Sequence, residues 1–356
     1  MILTIFTWLM ALQTVPTSQD ELLRAPQLAS HASMTAMAYG AGRGIYIRVS
    51  HDLGATFGDA VKVTEAAVVP LSRHRGPHIA FSGGTLVVTA VVGDRASPEP
   101  HGHGLPSDGD LLAWRSTDDG KTWSAGIVIN DSSAAAREGL HALAADAKGN
   151  LFAVWLDKRR ADGTSLYGAR SMDGGATWSK NVLVYSSPEG TICQCCHPSL
   201  AIDPVGQFIA MWRNCLAGNR DMYIARSSDG TRFSQAEKLG TGSWQLNACP
   251  MDGGGLAVSQ NRVITAWRRE GTVYMAEPGE HETEIGQGKD VAIAGGSKGP
   301  YIAWVSPSGI EMRVPGAPES VRLSEKGSVP ALVTQTDGSI LVAWEEDGAI
   351  KTRRIM

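Results

Sequence analysis

The chain has 356 residues, of which 43% are hydrophobic and 19% charged, and its formal net charge is −4 at pH 7. With this charge, and without a basic cluster interleaved with aromatic residues, the sequence offers no electrostatic basis for binding nucleic acid or an anionic membrane surface. The length fits two ordinary domains or one large all-β domain. The 41 glycines favour many short strands joined by tight turns.

The N-terminal residues 1–15 are apolar and carry no charge. This stretch is too short to cross a bilayer comfortably, and it fits the apolar region of a secretory signal peptide. We therefore predict a signal peptide over residues 1–18, one domain over residues 19–356, and a secreted or periplasmic location. An N-terminal strand is the alternative. No other stretch of the sequence predicts a membrane span.

One pattern, Ser-x-Asp-x-Gly-x-Thr-aromatic, occurs four times, and its last copy is one residue shorter. The copies begin at Ser50, Ser116, Ser171 and Ser227. Their aspartates are Asp52, Asp118, Asp173 and Asp229. In a tight hairpin the Asp side chain accepts hydrogen bonds from backbone N–H groups of its own turn, and the Gly supplies a positive φ. The aromatic ring can then fold back onto the sheet, so four copies predict a repeat architecture of antiparallel strands.

This pattern resembles the Asp box, or BNR repeat, of the sialidase family and of other β-propellers. The resemblance implies an all-β propeller of four-stranded antiparallel blades, in which the boxes are structural and lie away from the active site. A site is then expected on the opposite rim, where loops between blades, and between second and third strands, surround the central channel.

A second repeat indicates the number of blades. A small or apolar residue followed by an aromatic or apolar one ends a β-rich strand seven times. The pairs begin at Ala38, Ala90, Val154, Met211, Ala266, Ala303 and Ala343. Their spacing of 37 to 64 residues suits one blade each. We predict seven blades beginning near Gln27, His78, His141, Ser199, Gly254, Asp290 and Ala331, with six as the alternative. The last blade has only three strands of its own, and we expect residues 20–24 to complete it.

The resemblance to sialidases implies three arginines that bind a substrate carboxylate, since a planar guanidinium binds a carboxylate through two hydrogen bonds. Arg24 lies in Arg24-Ala25-Pro26, which is similar to the Arg-Ile-Pro motif that opens sialidase domains. Arg213 and either Arg268 or Arg269 complete the predicted clamp. The alternative is that these arginines form ion pairs between neighbouring blades.

The resemblance also implies a tyrosine nucleophile, activated by a glutamate, and an aspartate as acid/base. Asp94, in a loop after a second strand, is the candidate acid/base residue. The sequence offers no clear nucleophile. Tyr301 opens its strand at the wrong end, and Tyr39 occupies a position that tryptophan fills in five other units, where packing is expected. Sialidase activity is therefore one hypothesis among several.

All five cysteines fall in one sector of the expected ring. With an adjacent histidine they are Cys193, Cys195, Cys196, His197, Cys215 and Cys249. In an exported protein four of them would form two disulfides, with Cys196–Cys215 as the first pairing to test. Alternatively, thiolates and imidazole could hold Zn²⁺ or Cu⁺, or the thiols remain reduced. His101 and His103, in the loop after Asp94, form a weaker metal pattern.

Three functional hypotheses follow. The first is an exo-acting glycoside hydrolase of acidic sugars, with an arginine clamp, Asp94 as acid/base and no required cofactor. The second is a non-catalytic propeller that binds a glycan or a protein. The third is a metal or thiol site in the cysteine sector. The absence of Gly-x-Gly-x-x-Gly, P-loop and Gly-x-Ser-x-Gly patterns argues against nucleotide cofactors and serine-hydrolase chemistry.

Overall fold

A computed structural model describes residues 12–15, 21–72, 74–98 and 104–356. These residues form seven four-stranded antiparallel sheets, and none of them is helical. The first strands of successive sheets contact one another around a ring, so each sheet is a blade of a β-propeller with its first strand innermost. The predicted all-β propeller with seven blades is confirmed, and the six-blade alternative is excluded. The described residues contain no helix that is long and apolar enough to cross a membrane.

The first four blades are built from consecutive strands. Blade 1 contains β2 (Leu23–His31), β3 (Met34–Ala41), β4 (Gly44–Ser50) and β5 (Val61–Glu65). Blade 2 contains β6 (His78–Ser82), β7 (Thr85–Val92), β8 (Asp110–Ser116) and β9 (Ile127–Val128). Blade 3 contains β10 (His141–Ala145), β11 (Leu151–Asp157), β12 (Ser165–Ser171) and β13 (Val182–Tyr185). Blade 4 contains β14 (Ser199–Ile202), β15 (Phe208–Arg213), β16 (Met222–Ser227) and β17 (Glu237–Lys238).

The last three blades continue the series, except for one outer strand. Blade 5 contains β18 (Gly254–Ser259), β19 (Arg262–Arg269), β20 (Thr272–Ala276) and β21 (Thr283–Gln287). Blade 6 contains β22 (Lys289–Gly296), β23 (Gly299–Ser306), β24 (Gly309–Arg313) and β25 (Val321–Ser324). Blade 7 contains β26 (Ser328–Thr334), β27 (Ile340–Glu346), β28 (Ala349–Ile355) and, as its outer strand, β1 (Gln13–Val15). Four inner strands begin at the predicted residue, and the other three begin one to four residues earlier.

The ring closes where the two ends of the chain meet. Blade 7 is completed by β1, which pairs antiparallel with β28. The expectation that residues 20–24 fill this place is wrong, because Leu23 and Arg24 already belong to the inner strand of blade 1. The β1 strand lies within residues 1–18, the stretch predicted as a signal peptide; residues 1–11 and 16–20 lie outside the described part of the chain. The signal peptide stays a prediction.

The hydrophobic core is divided into seven clusters, one at each interface between neighbouring blades. The aromatic residues that end the second strands fill these interfaces, and Trp155, Trp212 and Trp344 are completely buried. Burying such a side chain contributes about 1.5–3 kcal/mol, so each interface stabilises the two blades that share it. The predicted small-aromatic pairs are therefore the residues that hold the blades together.

The four Ser-x-Asp turns follow the third strands of blades 1 to 4 and share one geometry. In the first, Asp52 accepts hydrogen bonds from the backbone N–H of Thr56 at 2.8 Å and from its hydroxyl at 2.6 Å. The corresponding bonds from Thr122 lower the pKa of Asp118 to about 2. Gly54 has a φ of 78°, in the left-handed region that favours glycine. Because strands alternate in direction, these turns lie on the rim opposite to the one where the inner strands begin.

Removing β1 is expected to destabilise the ring. A variant that lacks residues 1–18 leaves β28 as an open edge, whereas a variant that lacks only residues 1–11 keeps β1. An unpaired edge strand loses its backbone hydrogen bonds and is free to pair with another molecule. We expect the longer deletion alone to lower the thermal midpoint and to associate in sedimentation velocity. Equal midpoints for the two variants would show that β1 does not close the ring.

Candidate functional site at the channel mouth

The channel mouth is the rim at which all seven inner strands begin. A cavity lined by several histidines lies there. This cavity has a volume of about 200 Å³ and is lined by residues that include Gln27, His74, His78, His197 and Ser199. They come from the inner strands of blades 1, 2 and 4 or from the loops that precede blades 2 and 4. The propeller topology therefore brings together residues that are more than 170 positions apart in the sequence.

The loop of residues 66–77, between β5 and β6, carries His74 across the mouth. The Nε2 atom of His74 lies 2.8 Å from Oδ1 of Asp290 in blade 6. The ring of His74 stacks on that of His197, before blade 4, with 4.0 Å between the centroids. On the other side Arg75 is buried and donates from Nε to the carbonyl of Glu138 at 2.7 Å. This loop therefore ties blades 3, 4 and 6 to one another.

A glycine makes room for the same loop. The side chain of Leu71 lies over Gly40 of blade 1, and a Cβ placed on Gly40 would come within 2.1 Å of a Leu71 methyl group. A side chain at position 40 would therefore force Leu71 to move. The loop is thus packed at both ends and holds His74 in a defined place.

Burial suppresses the charge of the histidines at the mouth. It lowers the pKa of His78 to about 4, with a further contribution from nearby His74. Burial also lowers the pKa of His197, which His74 and His78 reinforce, and that of His141, whose ring packs edge-on against His78 at 4.5 Å. At neutral pH these three imidazoles are uncharged, so they can accept a hydrogen bond or a proton.

Arg213 and Arg268 lie close together, but their contacts are with the protein itself, at the interface of blades 4 and 5. The guanidinium of Arg213 is buried and donates to the carbonyls of Asp252 at 2.9 Å, Arg220 at 2.5 Å and Arg268 at 2.8 Å. Arg268 pairs with Asp252, with 3.0 Å between Nε and Oδ2. These contacts join blade 4 to blade 5. The guanidinium of Arg213 is therefore not available to a substrate carboxylate, which corrects the three-arginine clamp.

Both of these guanidinium groups also lie over the ring of Trp244, at 5.3 Å and 5.2 Å from its centroid. Arg269, the other candidate for the third arginine, pairs with Glu282 at 2.6 Å. The alternative interpretation, that the arginines link neighbouring blades, describes Arg213 and Arg268 better. The sequence could not distinguish the two, because a rim position is compatible with either role.

Arg24 lies apart from that pair, at the junction of blades 1 and 7. Its Nη1 donates to Glu345 at 2.9 Å, and its side chain remains 42% exposed. Asp94 is exposed, in the loop that follows β7 at the channel mouth, and its backbone N–H donates to Asp108. His101 and His103, further along the same loop, lie outside the described residues.

The two tyrosines considered as nucleophiles are packing residues. Tyr39 is buried between blades 1 and 7, and Tyr301 between blades 6 and 7. Burial raises the pKa of both phenols, which keeps them protonated. Neither is an activated nucleophile, so neither supplies the tyrosine that a sialidase mechanism requires.

Four of the five cysteines converge between blades 4 and 5. A disulfide joins Cys195 to Cys249, so the predicted Cys196–Cys215 pairing is wrong. Cys193 and Cys196 are buried free thiols whose sulfur atoms lie 3.0 Å apart. Hydrogen bonding to Cys196, together with a backbone N–H and the charge of Arg213, lowers the pKa of Cys193 to about 7. Cys215 is also free.

Some residues of the mouth had no signal in the sequence. His78 and His141 were expected because they begin inner strands. His74 lies in an irregular loop, and it reaches Asp290 only because the blades close into a propeller. Asp252 precedes blade 5, is completely buried, and lies with His74 and Asp290 so that ligand atoms of all three are within 4.8 Å. Because Asp252 pairs with Arg268 and Asp290 with His74, we describe this group as an ion-pair network.

The fold is shared with several solved structures over nearly its whole length. An α-L-arabinanase from Penicillium chrysogenum, complexed with arabinobiose, has a TM-score of 0.58, 16% identity and 98% coverage of each chain. The intramolecular trans-sialidase from Ruminococcus gnavus has a TM-score of 0.56, 11% identity and 96% and 97% coverage of this and that chain. An ulvan lyase of a polysaccharide lyase family has a TM-score of 0.59, 11% identity and 96% and 95% coverage.

No family model matches the chain, and no curated protein matches it. At identities of 11–16% the likeness is one of fold. The molecule is a β-propeller, as its Ser-x-Asp turns predicted, and it has the seven blades that its small-aromatic pairs predicted.

Proposed function

We propose that this protein is a carbohydrate-active propeller that binds an acidic sugar at the channel mouth. The observation that carries the proposal is the cavity lined by His74, His78 and His197, where the imidazoles of His78 and His197 have lowered pKa values and face a concave space. Functional sites are commonly found where such groups meet a cavity. The names of three proteins that share the fold, an arabinanase, a trans-sialidase and an ulvan lyase, support a sugar as the ligand.

His78 is the proposed general base of this site. Its pKa of about 4 leaves it neutral at pH 7, so its imidazole can accept a proton or a hydrogen bond from a sugar hydroxyl. His74 is a positioning residue, because its bond to Asp290 and its stacking on His197 fix the wall of the cavity beside His78. Asp94, at the same rim, is the proposed acid/base residue.

Arg24 is the proposed contact for the acidic group of the sugar. Its guanidinium uses one N–H group on Glu345 and is 42% exposed, which leaves further donors for a carboxylate. Arg24 thus replaces the three-arginine clamp in this proposal. A secreted or periplasmic location is part of the proposal, since a protein in these compartments encounters extracellular polysaccharides.

The second candidate function is binding of a glycan without turnover at the same cavity. It is favoured by the burial of Tyr39 and Tyr301, which leaves no tyrosine nucleophile among the candidates. A binding protein and an enzyme would share the contacts of Arg24 and His78. They differ only in whether a glycosidic bond is broken.

A panel of sugars tests the proposal. We expect one of three oligosaccharides, neutral arabinan, sialyllactose or a uronate-containing ulvan fragment, to bind in calorimetry, with preference for an acidic one. Mass spectrometry of the products then separates turnover from binding. His78→Gln is expected to lower turnover about 100-fold or more if His78 acts as general base, and Arg24→Met to weaken binding of the acidic sugars only.

The matched control is His51→Gln, an exposed histidine on the opposite rim, which should leave both measurements unchanged. If none of the sugars binds to folded protein, the proposal of a carbohydrate site is rejected. Binding without products in any of the reactions selects the second candidate.

A further inference from the structure

The four cysteines between blades 4 and 5 form a cluster that the proposed sugar site does not use. Three of the sulfur atoms, from Cys193, Cys195 and Cys196, make a triangle with edges of 3.0, 3.7 and 4.0 Å. The fourth sulfur, of Cys249, is bonded to that of Cys195. All four come from loops at the channel mouth. Cys193, Cys195 and Cys196 lie in the segment before β14, and Cys249 lies in the segment before β18.

We propose that reduction of the Cys195–Cys249 disulfide converts this cluster into a tetrahedral Zn²⁺ site with four thiolate ligands. Zn–S bonds of about 2.3 Å in a tetrahedron place the sulfur atoms about 3.8 Å apart. Two of the three edges already present, 3.7 and 4.0 Å, are close to this value. The Cys193–Cys196 edge of 3.0 Å must lengthen. The sulfur of Cys249 is bonded to that of Cys195 but does not belong to the group of three that lie within 4.8 Å of one another. Once the disulfide is broken, the side chain of Cys249 must therefore rotate toward Cys193 and Cys196 to take the fourth corner.

N–H donors and cationic side chains lie around the sulfur atoms, although burial and the neighbouring Cys193 raise the pKa of the Cys196 thiol. Cys193 accepts a hydrogen bond from the backbone N–H of Cys195, and Cys196 one from that of Asp252. The guanidinium groups of Arg213 and Arg220 act on Cys193, and that of Arg75 acts on Cys196. A zinc ion with four thiolates carries a net charge of −2, and these cations offset it in a buried place.

His197 does not serve as a ligand in this arrangement. Its Nδ1 accepts a hydrogen bond from the backbone N–H of Gly253 at 3.2 Å, and its Nε2 lies 3.3 Å from the carbonyl of Gly254. Both ring nitrogens therefore contact the backbone. This leaves Cys249 as the fourth ligand, although His197 is next to Cys196 in the sequence.

The conversion balances with a dithiol as reductant. The dithiol transfers two electrons and two protons to the disulfide, becomes a cyclic disulfide itself, and leaves Cys195 and Cys249 as thiols. Zn²⁺ then replaces four thiol protons, which are released to solvent. The oxidised protein keeps two free thiols in the cluster, Cys193 and Cys196, which are too few to hold the ion. Zinc binding therefore depends on whether the Cys195–Cys249 disulfide is reduced.

Zinc uptake by the full chain tests the inference. We treat the protein with dithiothreitol without oxygen, remove the reductant, add ZnCl₂, desalt, and measure zinc by elemental analysis. We expect one zinc per chain in the reduced protein and none in the oxidised protein. Cys193→Ser and Cys196→Ser should lose the zinc, whereas the matched control Cys215→Ser, with a thiol outside the cluster, should keep it.

A second measurement does not depend on the variants folding. Co²⁺ added to the reduced wild-type protein should give the intense thiolate-to-cobalt absorption of a tetrahedral sulfur site, and oxidation of the protein should abolish it. The inference is overturned if the reduced wild-type protein retains no zinc. It is equally overturned if well-folded Cys193→Ser and Cys196→Ser proteins retain as much zinc as Cys215→Ser.

Discussion

Arg213→Met is expected to destabilise the protein by about 3–4 kcal/mol. The buried guanidinium donates to carbonyl groups of residues 220, 252 and 268, which belong to two blades. Methionine fills a similar space and donates nothing. Each carbonyl left without a donor costs about 1–3 kcal/mol, and the interface between blades 4 and 5 loses its polar link.

Urea denaturation followed by tryptophan fluorescence measures this effect. Arg43→Met is the matched control, because Arg43 is 67% exposed and pairs with exposed Glu65. Surface ion pairs of this kind contribute at most about 1 kcal/mol, so the control should unfold close to the wild-type protein. If Arg213→Met is as stable as Arg43→Met, the guanidinium is not a structural link, and its place in a substrate clamp becomes open again.

Lowering the pH from 7 to 5 is expected to cost about 2 kcal/mol of stability through His78 alone. Its pKa is about 4 in the folded protein and about 6.5 when unfolded. Between these values the unfolded chain binds the extra proton, so stability is full above pH 6.5 and falls as the pH drops toward 4. Each pH unit in this window costs about 1.4 kcal/mol. Burial of His141 and His197 adds losses in the same direction.

The free energy of unfolding at pH 7 and pH 5, compared between variants, isolates this contribution. His78→Gln has no imidazole to titrate, so its loss between the two pH values should be smaller than the wild-type loss by about 2 kcal/mol. His51→Gln, whose histidine is exposed on the opposite rim, should follow the wild-type protein. Equal losses in all three proteins would mean that His78 titrates normally, and its proposed role as a neutral general base would fail with it.

Most of the fold could be predicted because its signals are local. A turn such as Asp52 to Thr56 closes through hydrogen bonds between residues four apart. A pair such as Ala343-Trp344 marks a strand that packs against the neighbouring blade. Each repeats, so the number of blades could be counted. The closing strand could not be predicted in the same way, because β1 has three residues and pairs with β28 more than 330 positions away.

The candidate site was predictable only in part. The rule that inner strands begin at the mouth identified His78 and His141, and the spacing of the cysteines identified their common sector. The pairing of Cys195 with Cys249 depends on which loop of blade 5 faces blade 4. The role of Arg213 depends on hydrogen bonds to backbone carbonyl groups. Every residue has such a group, so the sequence does not show which ones Arg213 contacts.

The amino-acid sequence by itself determined the class of fold and the seven blades, since these follow from short-range bonds and from the period of the strands. Only the tertiary structure decided which side chains face one another across the channel. Closing the ring brings His74 to Asp290, 216 positions away, and burial there removes the charge from the neighbouring imidazoles. Contacts at such separations depend on the curvature of the whole ring, which no local pattern encodes.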